Sequence, residues 1–280
     1  MPTSETVPEA APMPAAVRAG RPMRTLLRRD IASSRFLACV ALALLVLLYA
    51  QEPGARGDAR IDPVIKLLMF PVSFNNAMGL VALAAGVCSA ANYAQEKNTR
   101  FLRPILARVP LRRYLAGRYA SACLSTGLAL LVAFALFTLV CAYESNGQLD
   151  LADSSQGVST LVMMSWMGDG SYHLWFAGMG IIVFLYGAVL AGIGTAVTAF
   201  LPHRYVGYTA AFIVAFFWMR VCSSLGLPVW VNPMALSKCL ADVGWAPLTL
   251  LCYCAAFLAM TALAFCVFLA KAGSEVRNGG

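Results

Sequence analysis

The chain has 280 residues; 60 % are hydrophobic and 12 % are charged, giving a mean hydropathy of +0.72. Soluble domains carry about 25 % charged residues, so this composition excludes an ordinary soluble enzyme, a disordered chain and a secreted disulfide scaffold. The formal charge of +8 reflects membrane topology before any nucleic acid, and no nucleic-acid partner is expected.

Residues 1–20 are rich in Ala, Pro and Glu and read as a disordered tail. Arg21 to Arg35 has the spacing of an amphipathic interfacial helix, with Met23, Leu26, Leu27 and Ile31 on one face and Arg21, Arg24, Arg28 and Arg29 on the other. Asp30 interrupts the apolar face. The apolar blocks that follow predict six transmembrane helices, at about 32–50, 72–94, 115–142, 173–201, 205–227 and 247–270. Together they make an all-α polytopic membrane protein with a single transmembrane domain, 21–271, and a C-terminal tail, 272–280.

Orientation follows from charge. One side of this arrangement collects 16 Lys and Arg residues, with Arg118 counted in the flank of the 95–114 loop; the other collects four. By the positive-inside rule both termini are cytoplasmic and the chain is a multi-pass protein of the cell membrane, in contact with its lipids. Arg220 is read as a charge inside a span, about 10 Å from its outer end. It either snorkels to headgroups or, with Phe216 and Trp218, lines a path for a substrate. Outer loop 143–172 is acidic, with a candidate interfacial helix at 158–167, and loop 228–245 carries Trp230 and Trp245.

Several chemistries lack their residues. No G-x-x-x-x-G-K-[ST] and no H-E-x-x-H occurs. Of nine Cys, eight lie in apolar blocks and none forms a C-x-x-C, so no metal site and no disulfide framework is expected. No catalytic residue is assigned, and the chain is read as a non-enzyme without a cofactor of its own.

The segment between spans two and three, from Glu96 to Arg118, is the most informative. Phe101, Leu102, Ile105, Leu106 and Val109 share a helical face, while Pro104 and Pro110 interrupt helix bonding. An amphipathic cytoplasmic helix between two spans is a docking surface. An acidic residue (Glu96), an apolar-basic helix (Leu102–Val109), Pro110, the pair Arg112 and Arg113, Tyr114, then Gly117 and Arg118 resemble the permease subunit of a type-2 ABC transporter, the ABC-2 family. The resemblance extends over residues 21–270. Asn98-Thr99 stands where that family has a Gly or Ser-Gly.

The resemblance implies a coupling helix that docks on a separate ABC ATPase through Glu96, Phe101, Leu102, Ile105, Leu106, Arg112 and Arg113. It also implies a second permease copy or relative, and ATP and Mg held by the partner ATPase. The cargo would be an amphiphile. The loop between spans five and six would fold back into the membrane. The competing expectation is a polytopic protein without transport, such as an immunity factor or scaffold binding a partner in the bilayer.

Overall fold

A computed structural model describes residues 22–51, 64–69, 71–72, 77–88, 92–98, 109–147, 163, 166, 169–239 and 241–277. Helices α1 (Pro22–Ile31) and α2 (Ser34–Tyr49) open the chain, followed by the short α3 (Val64–Met69). Next come α4 (Ala77–Cys88), α5 (Asn92–Asn98), α6 (Leu111–Glu144), α7 (Tyr172–Phe200) and α8 (Arg204–Ser224). A 3₁₀ turn at Val229–Val231, α9 (Pro233–Ser237) and α10 (Ala246–Arg277) complete the described chain. No strand occurs among the described residues.

Among the described residues, five helical segments are long and apolar enough to cross a membrane: Ala77–Asn98, Leu111–Glu144, Tyr172–Phe200, Arg204–Ser224 and Ala246–Ser274. The protein is therefore a helical, membrane-embedded polytopic protein. Helix α2 has 16 residues, about 24 Å, less than the hydrocarbon core of about 30 Å. It makes a sixth crossing only together with α1, from which it is bent by 55°. Ser33 causes that corner: it caps α2 by accepting from the Phe36 N–H, while its own hydroxyl donates to the Asp30 carbonyl at 2.6 Å. Residues 1–20 and the candidate helix at 158–167 fall largely outside the described residues. Helix α10 runs on to Arg277, into the C-terminal tail expected from residue 272.

Helix α7 is the hub. Trp175, Met179, Ile182, Tyr186, Val189 and Leu190 are fully buried, and the helix packs against α4, α6, α8 and α10, as an all-apolar helix must. Small residues set the spacing. A Cβ at Gly187 would lie 3.0 Å from the Gly127 Cα of α6, and one at Gly86 would lie 1.9 Å from the Tyr208 carbonyl oxygen of α8. Backbones meet at both places, so neither site has room for a side chain. Helix α1 does not simply rest on lipid, as its amphipathic pattern suggested. Met23 and Leu26 pack over Gly117 of α6, so its apolar side faces protein.

All nine cysteines are free thiols, and six are buried. The other three, Cys252, Cys254 and Cys266, lie on α10.

Candidate functional site

Four charged side chains and a tyrosine meet where α1, α5 and the start of α6 converge. Asp30 is 2 % exposed and Arg118 is 1 % exposed. Arg118 Nη1 donates to Asp30 Oδ2 at 2.8 Å, and the Ser121 hydroxyl donates to the same oxygen at 2.8 Å. The other carboxylate oxygen accepts from Asn92 Nδ2 at 3.1 Å. Glu96, also buried, accepts from Arg29 Nη2 and from the Tyr114 hydroxyl, and its Oε2 lies 3.4 Å from Arg118 Nε.

Asp30, Glu96 and Arg118 would each be expensive to bury alone and are tolerable only as part of this set, while Arg29 reaches Glu96 from an exposed position. The local reasons are plain. Asp30 sits one turn before the corner, on the side of α1 that faces α6. Arg118 and Ser121, three residues apart on α6, share one face and reach the same Asp30 oxygen. The cluster therefore locks α1 to α6 and both to α5.

The structure gives Glu96 a different position from the one its place in the sequence suggested. It opens the segment from inside the protein, as a buried anchor at the end of α5. Asn98 supplies a second anchor, donating from Nδ2 to the Pro202 carbonyl at 2.7 Å, in the turn between α7 and α8. Tyr114 fastens the other side of the segment to the same carboxylate. Segment 99–108, with Phe101, Leu102, Ile105 and Leu106, lies outside the described residues. Arg112 and Arg113 are exposed on the first turn of α6, outside the cluster that holds Tyr114 and Arg118.

Arg118 corrects the charge count: it is not a loop-flanking cation but a fully buried one. Asp30, which interrupts an apolar face in the sequence, is its partner. Each residue looks anomalous by itself, a carboxylate on the apolar side of one helix and a guanidinium about two turns inside another. That complementarity was the available signal.

At the opposite end of the bundle, Arg220, Phe216 and Trp218 lie on an exposed face of α8. The Arg220 guanidinium sits over the Phe216 ring, 5.4 Å from its centre. Trp218 has a structural bond: its indole N–H donates to the Val231 carbonyl at 2.9 Å. That bond pins the segment after α8, which folds back onto the bundle. Asn232 caps α9 by accepting from the N–H groups of Met234 and Ala235, and Pro233, Met234, Leu236 and Ser237 are buried. Trp230 stacks edge-on against Tyr253 of α10, whose hydroxyl donates to the Ala241 carbonyl at 3.0 Å.

Among the described residues no group of three or more His, Cys, Asp or Glu is placed to hold a metal ion. The chemistry of the cluster is that of a buried electrostatic joint between three helices. Comparison with known proteins matches this chain to no family model, no curated protein and no solved structure.

Proposed function

We propose that this chain is the transmembrane permease subunit of an ABC-2-like transporter, exporting an amphiphilic substrate with ATP hydrolysed by a separate subunit. The observation that carries the reading is the anchoring of segment 99–108. Glu96 and Asn98 hold one side of it, and Tyr114 holds the other through the same Glu96 carboxylate. Arg29 and Arg118 tie that carboxylate to α1 and α6. A force applied to the segment would enter the bundle at a stiff joint rather than dissipate in a loose loop.

In this reading α1 starts in the cytoplasmic interface and continues through its bend into α2, the two together making the first of six spans, and both termini are cytoplasmic. Phe101, Leu102, Ile105 and Leu106 contact the ATPase, which holds ATP and Mg. A second permease copy or relative completes the transporter. The exposed α8 face with Phe216, Trp218 and Arg220 borders the substrate path, and the 228–245 segment re-enters the membrane.

The test is affinity purification from membranes in mild detergent with crosslinking. An ABC ATPase should co-purify, and its activity should rise when the permease is present. Leu102→Asp with Ile105→Asp should abolish that stimulation while the protein still inserts, because apolar anchors dominate such contacts. Unchanged stimulation would reduce the segment to a basic flank, and no ATPase would remove the transporter reading.

A further inference from the structure

We draw no further inference here: the strongest candidate, the face of α10 turned away from the bundle with its exposed stripe of Ala255, Ala259, Ala262, Cys266 and Ala270, carries nothing because nothing in the structure shows what covers it.

Discussion

Asp30 and Arg118 lie 88 positions apart in sequence and 2.8 Å apart in space. Removing either leaves a buried charge unmatched, which costs about 3–5 kcal/mol in comparable pairs. Asp30→Ala and Arg118→Ala should each therefore cut the yield of folded protein and lower the unfolding temperature in detergent. Asp30→Leu combined with Arg118→Met should recover much of the loss, because two apolar side chains of similar volume need no compensation. Recovery would be read as non-additivity in a double-mutant cycle. Additive losses would mean that Glu96, rather than Asp30, is the principal partner of Arg118. Arg220 is a different kind of arginine, exposed and resting on Phe216. Arg220→Lys should insert and fold as wild type. If Arg220 contacts an anionic cargo in a bidentate way, the same variant should lose export in a vesicle transport assay; full export would leave it as a snorkelling anchor. The sequence shows each of these charges singly, and local periodicity has no means of pairing residues so distant, which is why sequence alone places Arg118 with a loop.

The helices were legible because long apolar runs leave few alternatives in a bilayer. Predicted spans at 115–142, 173–201 and 205–227 correspond to α6, α7 and α8 with ends shifted by a few residues. Ends were less legible where polar residues continue a helix. The basic Leu111–Tyr114 turn belongs to α6, and Lys271 to Arg277 belong to α10. Lys271 stabilises that extension by lying over the Phe200 ring of α7, 5.5 Å from its centre. Ala82 and Gly86 stand four residues apart in the sequence, but the helix they pack against cannot be read there. It is α8, met at Gly86. Gly86→Ala should force the two backbones apart and destabilise the fold by about 1–3 kcal/mol, seen as a lower unfolding temperature. Gly79→Ala is the control, since a Cβ there meets only the Met234 methyl at 3.6 Å. Equal behaviour of the two variants would mean that α4 and α8 are not held at this separation.

At the scale of the molecule, contacts gather the basic elements at one end. Arg29 reaches Glu96, Asn98 reaches the turn at Pro202, and Lys271 reaches Phe200. The start of α6 and the end of α10 thus share an end with α1. The folded-back 228–245 segment and the Gln51–Cys141 contact lie at the other end. With six crossings, reporter fusions after Gly280 and at Gln148 should report opposite sides of the membrane, with the C-terminal fusion cytoplasmic. Matching reports would mean that α7, α8 and α10, the three candidate spans between the two positions, do not all cross. The burial of the helices is uneven: 67 % of the most apolar stretch of α7 is buried, against 17 % for α10. Helix α10 therefore presents most of its surface to lipid or to a partner, while α7 is confined to the interior.

The thiols have a practical consequence. Six of the nine are enclosed by protein, and the remaining three sit on α10 within its apolar length. A maleimide needs a thiolate and access to water, and the six enclosed thiols lack the access. With Cys252, Cys254 and Cys266 replaced by serine, a single cysteine introduced at an aqueous position would be the only residue to label. Mapping accessibility or attaching a spectroscopic probe therefore takes three substitutions, all on one helix, with every packed cysteine left in place.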